Sequence, residues 1–307
     1  MNLAPLDASP AYGRRREAPL ITFAIPAFNR PQLLRETLAS LAAQTGGHDY
    51  EVIVCDDGGL PETARVVAGF PADRFSLYLN RPALGGVGNW NRGLQQARGR
   101  WVMILHEDDM LYRWYLDTVA SRLRDGISAV CTLVVQGTTP PVLPPPTFRP
   151  AVRNYPPVYF LKSAFTPFPG VLFPRELSLR LGGFDPRWGP LADYEFWYRL
   201  AAAGTTEVVR TVGAFYRVSE GQWTESQWPV MLRQMHLLRL RIARQQLPAR
   251  PRLGRWLARF FTARSARAFT RRFPEKPAGL ARALALGRIP FSSLPSGWVW
   301  QLLKLLA

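Results

Sequence analysis

The sequence predicts an α/β fold: a mainly parallel, mixed sheet flanked by helices and followed by a basic helical C-terminal extension. Three observations carry that expectation. Compact apolar runs at residues 20–27, 50–55 and 101–105 have the length of strands buried on both faces. Segments with apolar residues at helical spacing separate them, the alternation that builds parallel sheets. The charge is also uneven. Residues 1–230 hold 23 Lys and Arg against 21 Asp and Glu, whereas residues 231–307 hold 16 against the single Glu275.

Taken in order, the first strand at 20–27 (LITFAIPA) stops at a turn. Asn29 is placed to cap the next segment, Pro31 suits its first turn, and Leu33, Leu34, Thr37, Leu38 and Leu41 repeat at helical spacing. The strand at 50–55 (YEVIVC) breaks off at Asp56-Asp57-Gly58-Gly59. A short helix around 62–69 leads to a strand at 75–79, and 85–98 (GGVGNWNRGLQQAR) reads as helix after its glycines. The strand at 101–105 (WVMIL) runs into His106-Glu107-Asp108-Asp109; a helix over 112–123 and a strand at 129–135 follow. Eight prolines within 140–157 indicate an extended, non-helical crossing. Beyond it come a strand at 171–173, a short helix at 176–181, a helix at 193–203 stopped by Gly204, and a strand at 208–218. Past Pro229 the chain reads as Arg-rich helix to its end.

Composition narrows the possibilities. With 307 residues, 47% hydrophobic content, ten Trp and seventeen Phe, the chain has ample material for a core and is not a disordered polymer. Cys55 and Cys131 both lie in apolar strands, which excludes a disulfide framework and points to a reducing, intracellular setting. No apolar run approaches the roughly 18 residues a spanning helix needs. Residues 1–18 place three arginines after the apolar positions and lack an apolar targeting core, so they read as a disordered leader.

Ligands of open parallel sheets bind beyond the carboxyl ends of the strands, and three strands here end in polar clusters: Phe28-Asn29, Asp56-Asp57 and Glu107-Asp108-Asp109. Three consecutive acids after a buried strand repel one another. Either a hard divalent cation with oxygen ligands relieves them, or they form a solvated loop with helix-capping acids. Asp56-Asp57 suits hydrogen bonds from a base and ribose hydroxyls, and equally suits an ordinary turn. A third acidic site, Asp193 and Glu195, opens a helix amid Trp188, Tyr194, Phe196, Trp197 and Tyr198. A partly dry pocket there would raise a carboxylate's pKa toward general-base work, whereas the plain alternative is a helix cap.

Together these strings resemble family 2 glycosyltransferases of the GT-A fold, the Rossmann-like fold of nucleotide-diphospho-sugar transferases. Ile25-Pro26-Ala27-Phe28-Asn29-Arg30 and Val54-Cys55-Asp56-Asp57-Gly58 are similar to the family's opening. Asn80-Arg81-Pro82-Ala83-Leu84-Gly85, Asn89-Trp90-Asn91-Arg92-Gly93 and Ala97-Arg98-Gly99 resemble its next block. His106-Glu107-Asp108-Asp109 stands where its metal-binding DxD motif falls, and Gly182-Gly183-Phe184-Asp185 with Asp193-Tyr194-Glu195 looks like its acceptor-side motif. The resemblance covers residues 19–225, and the five motifs are specific through their order.

The resemblance implies an enzyme and assigns roles. Phe28 lies against the base, with Pro26, Ala27 and Asn29 shaping that wall. Asp57 and Asp56 contact a uracil or thymine and the ribose, and Glu107 lies near the ribose and diphosphate. Asn89 and Arg92 are candidate phosphate or sugar contacts, Arg92 being alternatively a surface residue. Asp108, with Asp109, ligates Mn²⁺ or Mg²⁺. Asp193 takes the proton from the acceptor hydroxyl in one inverting displacement. Glu195 and Trp197 belong to the acceptor side, and Glu220-Gly221-Gln222-Trp223-Thr224 is either a mobile lid over the donor, with Trp223 as its cover, or an ordinary loop with one packed Trp. Two positions depart from the pattern: His106 replaces the first DxD acid, and Ser219 stands where relatives often carry His. His236 is either a remote substitute for that imidazole or an ordinary surface residue of a basic helix.

The implied organisation is a leader (1–18), a catalytic domain (19–228) and a basic amphipathic extension (229–307). The donor would be a UDP- or dTDP-sugar, and the acceptor a glycan or polyprenyl-linked glycan in surface polysaccharide or glycolipid synthesis. Arg interleaved with Trp, Leu and Phe in the extension suits an anionic membrane surface, the alternative being helices that pack on the catalytic domain and leave a solvated basic face. That places the protein in the cytoplasm, peripheral on the inner face of the plasma membrane. No nucleic-acid module is present, so nucleic acid is not an expected partner. The competing functions are a sugar nucleotidyltransferase, which lacks its Gly-rich loop here, and a non-catalytic basic binding protein on a decayed fold.

Overall fold

The computed structural model describes residues 18–146, 151–164, 167–219 and 223–272. They form two compact units. The first takes the described part of residues 1–154, 166–186 and 203–218; the second takes that of 155–165, 187–202 and 219–307.

The first unit is built on a nine-stranded sheet. In chain order its elements are β1 (Ile21–Ala27), α1 (Pro31–Ala42), β2 (Tyr50–Asp56), α2 (Pro61–Ala68), β3 (Phe75–Leu79), α3 (Gly86–Gln96), β4 (Trp101–Ile104), β5 (Met110–Leu111), α4 (Tyr115–Val119), β6 (Ile127–Gly137), β7 (Val152–Asn154), β8 (Val171–Pro174) and α5 (Arg175–Arg180). After α6 (Ala192–Ala203) the long β9 (Thr205–Arg217) closes the sheet. The order is β3-β2-β1-β4-β8-β6-β9-β5, with β7 also paired to β9. Strands β3, β2, β1 and β4 are mutually parallel, β6 runs parallel to β9, and β8, β5 and β7 pair antiparallel. This is the mixed α/β sheet that the alternating pattern predicts.

The apolar runs become strands because they are buried on both faces. Phe23, Val52, Val54 and Met103 are fully buried under Leu34 and Leu38 of α1 and Val66 and Val67 of α2. Register then aligns the strand ends. Ala27 pairs with Asp56, Ala24 pairs with Ile104, and the Leu105 amide donates to the Ala24 carbonyl. The residues after β1, β2 and β4 therefore emerge at one sheet edge.

Four local readings are corrected. Asn29 does not cap α1; Arg30 occupies the cap position without a side-chain bond, and Asn29 is the left-handed residue of the turn at φ 60°. The helix expected over 112–123 shrinks to α4 and a following 3₁₀ turn. The Tyr112 amide bonds the Gly213 carbonyl, and Met110–Leu111 joins the sheet beside β9. The proline-rich segment is extended where β7 pairs with β9, and among its described residues only the last departs, because Pro157 opens a 3₁₀ turn through Leu161. Finally, helix begins before Pro229: α7 (Trp223–Gln246) precedes α8 (Pro251–Arg272).

The second unit joins the 3₁₀ turn at Pro157–Leu161 and the body of α6 to α7 and α8. The apolar side of α8, including Leu257, Phe260 and Phe261, is buried, and Arg252, Arg255, Arg259, Arg264 and Arg267 point to solvent. Among the described residues no helix is long and apolar enough to cross a membrane. The leader and the chain beyond residue 272 lie outside the described residues.

Candidate active site

The turn after β1 presents Phe28, 59% exposed, above half-buried Pro26 and buried Ala27. Its backbone N–H donates to Glu107 Oε2 at 2.9 Å, tying the first strand end to the third. Packing between the turns is tight enough that a Cβ on Gly58 would meet the Asn29 side chain at 2.1 Å. A free-standing aromatic ring on such a rigid turn is a stacking surface rather than core.

The β2 end separates the two aspartates by role. Asp56 is 1% exposed, and its oxygens accept the Gly58 and Gly59 amides at 2.9 and 3.1 Å, so it builds the turn. Asp57 is half-buried and accepts from Asn80 Nδ2 at 2.7 Å and from the Leu84 amide at 3.1 Å. Asn89 lies behind them at 3% exposure: it accepts from Asn80 at 3.0 Å and donates to the Cys55 carbonyl at 2.9 Å. Both ends of that amide are therefore occupied by protein. Arg92 is not a surface residue, being 5% exposed, and its Nε has no partner. Its charge opposes the effect of burial on the Cys55 thiol, which is still pushed up to about 12. A buried guanidinium nitrogen without an acceptor is costly unless an anion completes it.

The acidic loop after β4 holds the densest charge. Glu107 is pushed up to about 7, chiefly by burial, against the Phe28 amide bond that favours its charged form. Asp109 is fully buried. Its Oδ1 accepts the Arg217 amide at 3.0 Å, Oδ2 has no partner, and burial followed by the Asp108 charge raises its pKa well above the usual range. Asp108 pairs through Oδ2 with Arg30 Nη1 at 2.9 Å. His106 stacks on Phe168 at 4.1 Å between centroids and lies beside Trp90 at 5.5 Å; burial lowers its pKa and keeps the ring neutral. Its Nδ1 stands 3.8 Å from Asp109 Oδ2, too long for a hydrogen bond.

Ligating atoms of His106, Asp108 and Asp109 lie within 4.8 Å of one another. An orphaned carboxylate oxygen facing a neutral imidazole nitrogen, with a second carboxylate alongside, is a donor set that fits a divalent cation. Thr37 braces the loop from α1, its hydroxyl 2.8 Å from the carbonyls of Glu107 and Asp109. Two contributors were missed in the sequence. Arg30 was read only as part of a motif, and Arg217 as part of a strand. His106 was read as a departure from the DxD pattern; its signal was already there, since imidazole is itself a metal ligand.

In the second unit, Asp193 lies in the first turn of α6 with its Oδ1 accepting the Tyr194 amide at 2.7 Å. Burial pushes it up to about 6. Glu195 and Trp197, expected on the acceptor side, are each 1% exposed: Glu195 pairs with Arg199 at 2.8 Å and Arg241 at 3.0 Å, and Trp197 is core. His236 Nδ1 lies 3.3 Å from Thr262 Oγ1, and the Ser219 hydroxyl is buried without a partner. Of the expected lid over residues 220–224, residues 220–222 lie outside the described residues, and Trp223 and Thr224 are described only as backbone at the start of α7.

Comparison with known proteins identifies the family and the fold. Residues 22–176, half of the chain, match the profile of Glycosyl transferase family 2. The GalNAc(5)-diNAcBac-PP-undecaprenol beta-1,3-glucosyltransferase of Campylobacter jejuni is 35% identical over 115 residues, covering 36% of this chain and 37% of that protein. S. aureus TarS in complex with UDP-GlcNAc superposes with a TM-score of 0.59 at 16% identity, over 89% of this chain and 77% of that one. Mannosyltransferase PcManGT from Pyrobaculum calidifontis, in complex with GDP-Man and Mn²⁺, superposes at 0.54 with 18% identity, over 99% and 88%. At these identities the structures establish the shared GT-A fold. The chain spans 67% of one curated relative and 26–40% of four others.

Proposed function

The chain belongs to glycosyltransferase family 2, and from that premise we propose an inverting, metal-dependent enzyme. It moves a sugar from a UDP- or dTDP-sugar to a hydroxyl of a glycan or polyprenyl-linked glycan, in surface polysaccharide or glycolipid assembly. The observation that carries this reading is the single sheet edge that gathers Phe28, Asp57, Glu107 and the His106-Asp108-Asp109 cluster.

Each residue has a physical task. Phe28 stacks on the base, Asp57 accepts hydrogen bonds from base and ribose, and Arg92 answers the diphosphate charge. Glu107 fixes the Phe28 turn through its amide bond and faces the ribose side. Asp108 and Asp109, with His106, would hold Mn²⁺ or Mg²⁺, which supplies neutralisation of the charge left on the nucleoside diphosphate. Asp193 is the base. A carboxylate near 6 is ionised at neutral pH and basic enough to take the acceptor proton as its oxygen attacks the anomeric carbon. One displacement with one base inverts the configuration.

The lipid-linked acceptor is consistent with the GalNAc(5)-diNAcBac-PP-undecaprenol on which the Campylobacter relative acts. It is also consistent with a cytoplasmic protein held peripherally on the inner face of the plasma membrane. Five exposed arginines on α8 would each contribute about 1 kcal/mol near anionic headgroups. Because the apolar side of α8 is buried, that contact is electrostatic and salt-sensitive.

The test is nucleotide release from UDP-glucose, UDP-GlcNAc, a dTDP-sugar and GDP-mannose, with and without Mn²⁺, in wild type and Asp193→Asn. Metal-stimulated release from one donor, reduced at least about a hundredfold in the variant, is the expected result. Equal release by both proteins would remove the base assignment.

A further inference from the structure

The proposed base sits on a helix whose hold lies outside the part of the chain that matches the family. Both α6 and α7 follow residue 176, where that match ends. Among the described residues, the Asp193 carboxylate is bonded only within its own turn, by the Tyr194 amide. No side chain steers it, so its direction is that of the first turn of α6.

That turn is gripped by two arginines of α7, two residues apart. Arg241 Nη1 reaches Glu195 Oε1 at 3.0 Å, while Arg199 takes Oε2 at 2.8 Å, so both oxygens of a carboxylate only 1% exposed are occupied. Arg239, also 1% exposed, lies close enough to Tyr194 for its charge to oppose the upward push of burial on the Tyr194 hydroxyl. Its Nη2 donates to the Lys162 carbonyl at 2.9 Å and to Ser265 Oγ at 3.0 Å, its Nη1 to Thr262 Oγ1 at 3.4 Å, and its Nε has no partner, while the Tyr194 hydroxyl donates to the Phe160 carbonyl. Arg239 thus has neutral acceptors and no carboxylate. A buried cation without a counter-charge is a poor stabiliser compared with an apolar residue of the same size, whereas its bonds fix orientation. The residues seized, Tyr194 and Glu195, directly follow Asp193.

We propose that α7 is a positioning element of the catalytic machinery. Arg241 acting through Glu195, and Arg239 acting through the end of the Pro157–Leu161 turn to which Tyr194 is bonded, fix the first turn of α6 and thereby aim the Asp193 carboxylate. The proposal rests on the reading of Asp193 as the base. Arg239, Arg241, Tyr194 and Glu195 are positioning residues, and Glu195 has this task in place of acceptor binding. The C-terminal helices would then be required for turnover itself, independently of any membrane contact they make.

The test uses the full chain and nucleotide release from the sugar nucleotide that wild type hydrolyses fastest, with UDP, dTDP and GDP affinity measured alongside. Arg241→Ala should lower kcat about tenfold to a hundredfold, the scale of an ångström-size misplacement. Donor KM and nucleotide Kd should stay within about twofold. Arg241→Lys should recover part of the loss. Glu195→Gln, which keeps the side chain's shape but removes the carboxylate that Arg199 and Arg241 share, covers the case in which Arg241→Ala fails to fold and should lose kcat in the same way. Tyr198→Phe is the control: it removes bonds to Gln245 and Gln246 of α7 one turn further along, so it perturbs the same helix pair without touching the first turn. Its kcat should stay within about twofold of wild type. Folded Arg241→Ala and Glu195→Gln with wild-type kcat, beside an inactive Asp193→Asn, would overturn the positioning role. An active Asp193→Asn would instead overturn the base reading beneath it.

Discussion

Replacing Asp193 with Asn should make the protein more stable while abolishing turnover. Burial raises this carboxyl from 3.8 to about 6, and each pKa unit corresponds to roughly 1.4 kcal/mol. Ionised at neutral pH, the group therefore costs the folded state up to about 3 kcal/mol. Residual solvent contact of the half-buried residue reduces that to about 1–3 kcal/mol. The sign follows from proton binding. Between pH 4 and 6 the folded state holds a proton that the unfolded state has lost, so this group's contribution falls as pH rises and levels off above its folded pKa. Asn has no such dependence. Urea unfolding of both proteins from pH 4 to 8 should show Asp193→Asn gaining an advantage that grows to about pH 6 and is constant above pH 7. Wild-type kcat should show an acid limb near pH 6 over the same range. If the variant is no more stable than wild type at pH 7.5, or the difference does not change with pH, Asp193 is not the desolvated base described here.

Other perturbations separate the parts of the donor site. Phe28→Ala should weaken nucleotide binding by about 1–3 kcal/mol, the value of base–aromatic stacking, with Tm unchanged because the ring is 59% exposed. Arg92→Leu should weaken UDP binding at least about tenfold while leaving uridine affinity alone, since its task is to answer phosphate charge; calorimetry with the two ligands distinguishes them. Arg30→Gln removes the 2.9 Å pair with Asp108. That arginine is 40% exposed, so the pair is worth at most about 1 kcal/mol, and Mn²⁺ affinity without nucleotide should rise up to about fivefold by electron paramagnetic resonance.

The strands were legible because buried parallel strands carry continuous apolar runs, and β1, β2 and β4 begin and end within a residue or so of where those runs do. The sheet edge was legible for the same reason, since parallel register puts successive strand ends side by side. What sequence reasoning could not separate was the work of neighbouring identical residues. Asp56 and Asp57 look equivalent until backbone geometry turns one into the Gly58-Gly59 loop and leaves the other beside Asn80. Asn89 likewise reads as a ligand contact until its amide is found bridging Asn80 and Cys55. Long-range partners were hidden altogether: Arg30 and Asp108 are 78 positions apart, and Arg217 reaches Asp109 from a distance of 108. Glu195 shows a further limit. Its aromatic surroundings suggested a sugar site, but its two arginine partners lie on α6 and α7.

The central claim is that this sheet edge is a metal-dependent nucleotide site, and calorimetric titration of UDP, dTDP and GDP with Mn²⁺ into wild type and Asp108→Ala tests it most directly. The account predicts that UDP or dTDP binds wild type only when Mn²⁺ is present, and that this binding is lost in Asp108→Ala with the fold intact. Nucleotide binding equally strong without metal or without the Asp108 carboxylate, or no binding under any condition, would contradict it.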